Sequence, residues 1–308
     1  MRESKLPNAI IAGVNKAGTT SLFEYLRQHS QIGGSSVKET CYFLPVRYGQ
    51  SVGNIESYRE LFREAAGMPV RLEATPGYFY GGEPLIQEIR RVLGGARVRI
   101  IVILRDPVQR LLSFFRAQKA ILELPKDLSL REYVDRCLSL PREEVHKKEN
   151  NPYFGVEGGK YAKCLPLWKS EFGENLLVLF TEQVKSDPNT VLRKTFQFLG
   201  VDTIEVNKID MTRQNRSVSF KSRVLQKIAI GVNQYGESFL RRYPWVKKEI
   251  RKIYYTINGK KFNKSYDQLQ IRRLENIYSP YNEKLQDQLI KMGYTDVPGW
   301  VSVGSKKK

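Results

Sequence analysis

The chain has 308 residues, 41% of them hydrophobic, and a formal net charge of +19, which suits one large α/β domain, or one domain with a helical annex, and polyanionic partners: phosphates, sulfated or carboxylated glycans, nucleic acid or anionic lipid. No apolar run reaches membrane-spanning length, and the start MRESKLPNAII lacks the basic-then-apolar pattern of a secretory leader. Two histidines, His29 and His146, and three scattered cysteines, Cys41, Cys137 and Cys164, give no metal-ligand spacing and no support for a Ser-His-Asp triad, so we expect no metal and a reducing, cytoplasmic setting.

In chain order, Pro7 to Gly13 predicts a short buried strand, Ala9-Ile10-Ile11-Ala12, running into a loop. A helix follows from Thr19 or Thr20, with Leu22, Phe23 and Leu26 on one face. Arg97 to Leu104 is apolar on both alternating faces, as in a strand covered on both sides, and a helix starts at Pro107. Leu176 to Phe180 is another buried strand. Asp187-Pro188 opens a helix through Phe198, closed by Gly200. Strands alternating with helices predict a single P-loop-like α/β domain with a central parallel sheet flanked by helices.

The character changes beyond Met211. Residues 213–264 hold fourteen Lys or Arg against two acids, Glu237 and Glu249, and no convincing strand. We expect a basic helical C-terminal annex there, continued by a helix from Asp267 to Lys291. The corresponding division is an α/β core over 1–225 and a helical extension over 226–308, packed on the same domain. Between Phe239 and Phe262, basic residues alternate with Trp245, Ile250, Ile253, Tyr254 and Ile257. That pattern fits a helix pair with a solvated basic face, and it also fits peripheral contact with an anionic membrane.

Two segments carry chemistry. Gly13-Val14-Asn15-Lys16-Ala17-Gly18-Thr19-Thr20-Ser21 lies between a strand and a helix, where backbone N–H groups and hydroxyls hold phosphate. A P-loop wants lysine directly after its second glycine; here Thr19 follows Gly18 and the lysine is Lys16. That spacing counts against a P-loop nucleotide kinase or phosphotransferase, which stays as the alternative enzyme reading. Leu104-Arg105-Asp106-Pro107 ends the second strong strand. Arg105 sits at its carboxyl end and Ser113 two helical turns on, a pair suited to a phosphate monoester. Asp106 reads as a helix cap and Arg110 as a surface or structural ion-pair residue.

KAGTTSL after one strand and LRDPVQRLLSFF after a later one resemble the two nucleotide signatures of the sulfotransferases that use 3′-phosphoadenosine 5′-phosphosulfate (PAPS). Lys38-Glu39-Thr40-Cys41-Tyr42-Phe43, Glu73-Ala74-Thr75-Pro76-Gly77-Tyr78-Phe79, Gly159-Lys160-Tyr161 through Leu165 and Trp168, and Thr181 to Gly200 resemble further segments of the carbohydrate branch. This branch contains the heparan sulfate enzymes and their bacterial relatives. The resemblance runs from about residue 7 to 225 and more weakly to Trp300.

It implies sulfuryl transfer from PAPS to a hydroxyl or amine of a carbohydrate or glycolipid, releasing 3′,5′-adenosine bisphosphate. Lys16 would meet the bridging oxygen and sulfuryl group, while Ala17, Gly18, Thr19, Thr20 and Ser21 would line the 5′-phosphosulfate loop. Arg105 and Ser113 would hold the 3′-phosphate, and Glu39 would be the general base. The sequence departs from the animal enzymes at Ala74, where they carry lysine, and in lacking their C-terminal cysteine pair. In place of that pair stand Asn215-Arg216-Ser217 and Phe220-Lys221-Ser222-Arg223, similar to bacterial members, so Arg216, Lys221 or Arg223 would complete the 3′-phosphate site. A third class, a nucleic-acid module built on the basic annex, leaves both signatures unexplained, and no specific nucleic acid is expected.

Overall fold

The computed structural model describes residues 6–211, 219–220, 222–235, 249–250, 254, 256–260 and 266–302. In chain order the elements are β1 (Ala9–Gly13), α1 (Thr19–Leu26), β2 (Ile32–Gly34), α2 (Ile55–Glu60), β3 (Val70–Ala74), α3 (Gly82–Leu93), β4 (Arg99–Leu104), α4 (Pro107–Ala120), α5 (Leu130–Ser139) and α6 (Arg142–Val145). They continue with α7 (Leu165–Phe172), β5 (Leu176–Phe180), α8 (Thr181–Ser186), α9 (Pro188–Leu199), β6 (Ser219–Phe220), α10 (Arg223–Tyr235), β7 (Gly259–Lys260) and α11 (Gln268–Lys291).

The chain folds as two compact, discontinuous units: residues 1–110, 158–215 and 274–308 form the first, and 111–157 with 216–273 form the second. The first is built on a five-stranded sheet in the order β2-β3-β1-β4-β5, and every pairing in it is parallel. Every residue of β1 and β5 is buried, as is all of β4 after Arg99. Neighbouring side chains in a strand point to opposite faces, so both faces of the sheet are covered. The central parallel sheet flanked by helices is the expected architecture.

Local chemistry fixes the element ends. Asp187 caps α9 by accepting from the Thr190 amide at 3.1 Å, and Gly200 closes the helix in the left-handed conformation. Asp106 accepts from the Gln109 amide at 2.9 Å in the first turn of α4. Along α11, Leu274, Tyr278, Asn282, Leu285 and Leu289 form one buried stripe at helical spacing. On the outermost strand β5 the Val178 amide donates to the Tyr294 hydroxyl at 2.7 Å, satisfying an edge donor that would otherwise lack a partner strand.

In the second unit, Ser129 and Glu132 make a reciprocal capping box at the start of α5, and Arg273 pairs with Asp135 at 2.6 Å. The Asn258 amide side chain bridges the Ser222 backbone, accepting from its N–H at 2.7 Å and donating to its carbonyl at 3.1 Å. Two differences from the sequence reading stand out. The annex contains a two-residue antiparallel pair, β6 with β7, too short to leave a periodic trace. In the core, β3 reads Val-Arg-Leu-Glu-Ala, and its charged residues conceal a strand lying between β2 and β1.

Candidate active site

In a parallel sheet all strand C-termini reach the same edge. Strands β2 and β3 lie to one side of β1 and strands β4 and β5 to the other. The strand order therefore reverses beside β1 and β4, the place where open α/β sheets bind ligands.

The loop leaving β1 is held from several directions. The Val14 amide donates to the Ile103 carbonyl at 3.0 Å, and the Ala17 amide to the Val14 carbonyl at 3.2 Å. The Thr181 hydroxyl, buried at the end of β5, shares its proton between the carbonyls of Ala17 at 2.5 Å and Leu104 at 2.9 Å. Phe79 packs so close to Gly13 that a Cβ there would lie 2.6 Å from the ring-bearing carbon of Phe79. Lys16 and Gly18 both have left-handed backbone, with φ of 70° and 93°.

Gly18 is the N-cap of α1 and supplies no side-chain hydrogen bond. The first-turn amides of α1, on Thr19, Thr20 and Ser21, thus face the loop mouth with the positive end of the helix dipole behind them. A Cβ on Gly18 would meet only Thr181, at 4.0 Å, so the approach over the loop is open. Lys16 is exposed, whereas Ala17 and Thr19 are buried. These features fit an anion: a left-handed nest, open space and uncapped amides beside a lysine. With Thr19 buried at 4% exposure, the position where a P-loop kinase needs its lysine holds a packed hydroxyl.

Arg105 is brought to this loop. Its Nη1 donates to the Lys16 carbonyl at 2.9 Å, and its own carbonyl accepts from the Tyr161 hydroxyl at 2.8 Å. Of the two readings of Arg110, surface or structural, its burial rules out the first. It is fully buried, and its guanidinium passes so near Gly158 that a Cβ there would sit 3.0 Å from Nη1. It is no surface residue. Ser113 is also buried, two turns into α4, in the part of that helix that belongs to the second unit. Arg216 and Lys221 lie outside the described residues. Arg223 opens α10, and nothing of its side chain is described.

Glu39 follows β2 and crosses to the C-terminal end of β3, where its amide donates to the Ala74 carbonyl at 3.0 Å. Ala74 pairs with Ile11 of β1, so Glu39 stands over the strand next to the loop-bearing strand. Its side chain is exposed and pairs with Lys38 at 2.6 Å. His29, by contrast, is buried with both ring nitrogens engaged. Nε2 donates to the Asp202 carbonyl at 2.7 Å and Nδ1 accepts from the Gln31 amide at 3.0 Å. It is a structural histidine.

The residue that sequence reasoning passed over is Glu73. It is fully buried and accepts hydrogen bonds from the hydroxyls of Thr40, Tyr58, Thr75 and Tyr78. Burial pushes its carboxyl above the usual range against the opposing pull of those hydroxyls. Burial, then the neighbouring carboxylate, pushes the Tyr58 and Tyr78 phenols well up. The available signal was the density of hydroxyls in the Lys38–Phe43 and Glu73–Phe79 segments. Tyr58, from α2, belonged to no motif.

The model of the family described as Sulfotransferase domain matches residues 6–248. Heparan sulfate glucosamine 3-O-sulfotransferase 3B1 of Mus musculus is 27% identical over 285 residues, covering 91% of this chain and 62% of its own length. The bifunctional heparan sulfate N-deacetylase/N-sulfotransferase of Drosophila melanogaster is 23% identical over 319 residues, covering 96% of this chain and 27% of its own. The chain thus spans less than two thirds of the length of either. A solved sulfotransferase structure from Alicyclobacillus acidocaldarius superposes with a TM-score of 0.58 and 26% identity, covering 68% of this chain and 86% of that one.

Proposed function

The chain belongs to the sulfotransferase domain family, and on that premise we propose that it transfers the sulfuryl group of PAPS to a hydroxyl or amine of a carbohydrate or glycolipid. The observation that carries this reading is the joining of two anion-binding elements at the strand switch, through the 2.9 Å bond from Arg105 to the Lys16 carbonyl. The names of the matched relatives, which specify heparan sulfate, support a carbohydrate acceptor.

In the proposed reaction the amides and hydroxyls of Thr19, Thr20 and Ser21 bind the 5′-phosphosulfate. Arg105 takes the 3′-phosphate with charge-assisted hydrogen bonds. The acceptor oxygen or nitrogen attacks sulfur in line, and its bond to sulfur forms as the sulfur–oxygen bond to the 5′-phosphate breaks. Glu39 takes the acceptor proton as the nucleophile closes. Lys16 offsets the negative charge that grows on the departing phosphate oxygen, an interaction stronger in the transition state than before it. The products are the sulfated acceptor and 3′,5′-adenosine bisphosphate.

Thermal stabilisation by 3′,5′-adenosine bisphosphate, compared with ATP and AMP, tests the donor. Preference for the bisphosphate is expected, and preference for ATP would return the chain to the kinase reading. Transfer of labelled sulfuryl to a panel of glucosamine-containing oligosaccharides and glycolipids then tests the acceptor class.

Among the described residues no helix is long and apolar enough to cross a membrane. A peripheral contact is supported by Val224, Ile228 and Val232, exposed four residues apart along α10, within the stretch holding fourteen basic residues against two acids. Sedimentation with phosphatidylserine vesicles but not with phosphatidylcholine vesicles, reduced by Ile228→Asp, is the expected result. Cys41, Cys137 and Cys164 form no disulfide with one another, which supports the proposed cytoplasmic setting.

A further inference from the structure

We propose that Glu73 is a positioning residue: its buried carboxylate aligns the hydroxyls of Thr75 and Tyr78, and these hold the turn that presents Glu39 at the edge of the sheet. The inference rests on the proposed role of Glu39 and concerns a residue one layer beneath it.

The turn needs holding. Glu39 and Cys41 have φ of 63° and 56°, the left-handed region that non-glycine residues seldom adopt. Such backbone persists only where its surroundings over-determine it. Here the surroundings are hydroxyl oxygens. Thr75 Oγ1 accepts from the Cys41 amide at 3.3 Å while donating to Glu73 at 3.0 Å. The Tyr78 hydroxyl accepts from the Phe43 amide at 3.1 Å while donating to Glu73 at 2.6 Å. From within the turn, Thr40 donates its hydroxyl to the same carboxylate oxygen.

A hydroxyl has one proton and two lone pairs, whereas an ionised carboxylate only accepts. An acceptor-only group at the centre draws the hydroxyl protons inward, leaving the lone pairs of Thr75 and Tyr78 directed at the amides of the turn. The second carboxylate oxygen takes the Tyr58 hydroxyl, anchoring the arrangement to α2. A glutamine at this position presents an NH₂ to one side of the ring of hydroxyls. Hydroxyls on that side then accept from residue 73, and their protons point at the amides they had accepted from.

The test uses the full chain with Glu73→Gln, and Tyr58→Phe as a milder variant that removes a single donor. Amide hydrogen exchange is followed at Glu39–Phe43 and in β4, together with calorimetric binding of 3′,5′-adenosine bisphosphate. Exchange over Glu39–Phe43 is expected to rise by about tenfold or more in Glu73→Gln, as loss of a buried hydrogen bond would give, and by less in Tyr58→Phe. The β4 amides and bisphosphate affinity should stay at wild-type values, and kcat on any acceptor found should fall while the donor KM holds. Unchanged exchange in the turn overturns the proposal, as does equal acceleration in β4, which marks Glu73 as a general stabiliser. If Glu73→Gln fails to fold, Tyr58→Phe decides by the same contrast. A wild-type chain that ignores the bisphosphate defeats the functional reading, while the exchange pattern still judges the positioning role.

Discussion

The Arg105 guanidinium donates to the main-chain carbonyl of Lys16 at 2.9 Å, across 89 residues of sequence. This bond ties the end of β4 to the loop after β1, so one side chain both shapes the loop and brings positive charge to it. A guanidinium has five N–H donors in a rigid fork, which lets one side chain serve the loop carbonyl and an anion together.

Arg105→Ala should therefore weaken 3′,5′-adenosine bisphosphate more than a pure charge loss elsewhere on this basic surface. Hydrogen bonds to charged groups contribute about 1.5–3 kcal/mol, so we expect a rise of roughly 10- to 150-fold in Kd by calorimetry. A control substitution at Lys194, exposed on α9 beside the Tyr294 ring, should leave Kd unchanged. Equal effects at both positions would remove the specific role of Arg105.

Lys16→Ala and Glu39→Gln should separate chemistry from binding. With labelled PAPS, turnover should fall on the order of 10²–10³ for Lys16→Ala and roughly 10²–10⁴ for Glu39→Gln. Bisphosphate affinity in Glu39→Gln should match wild type. Full activity in that variant would exclude Glu39 as the base and leave the donor site standing.

Thr181→Val removes the buried hydroxyl that serves the Ala17 and Leu104 carbonyls. Both acceptors then face a methyl group, at a cost of about 1–2 kcal/mol or roughly 2–8 °C in Tm. Scanning calorimetry measures this, and an unchanged Tm would show that the clamp contributes nothing to the loop.

Glu73 gives a pH dependence with a definite sign. Burial holds its folded pKa above the ordinary value of 4.5, outweighing the hydroxyls of Thr40, Tyr58, Tyr78 and Thr75 that pull it down. The facing phenols, Tyr58 and Tyr78, are themselves pushed well above 10.0, so they keep their protons throughout. The folded state binds the Glu73 proton more tightly than the unfolded state does. Its contribution is complete below about pH 4.5 and is lost as pH rises through the folded value. The stability of wild type relative to Glu73→Gln, from urea denaturation at stepped pH, should fall across that window. A difference that does not vary with pH would refute it.

The sequence by itself determined the elements whose signals are local. Uninterrupted apolar runs marked β1, β4 and β5. Asp187-Pro188 and Gly200 bounded α9, because a cap and a left-handed glycine act within one turn of chain. The loop Lys16–Ser21 and the arginine after β4 were legible for the same reason, since backbone amides at a helix start are set by their immediate neighbours. Tertiary structure alone decided the rest. Packing makes Arg71, partly covered, and Glu73, fully buried, members of strand β3, which residue type cannot announce. It also decides between the surface and structural readings of Arg110, placing the side chain in the interior. The ring of hydroxyls around Glu73 draws on α2, the turn after β2 and the end of β3, segments that only sheet pairing brings together. Hydrogen bonds act over about three ångströms, and which groups come that close is set by packing, at any distance along the chain.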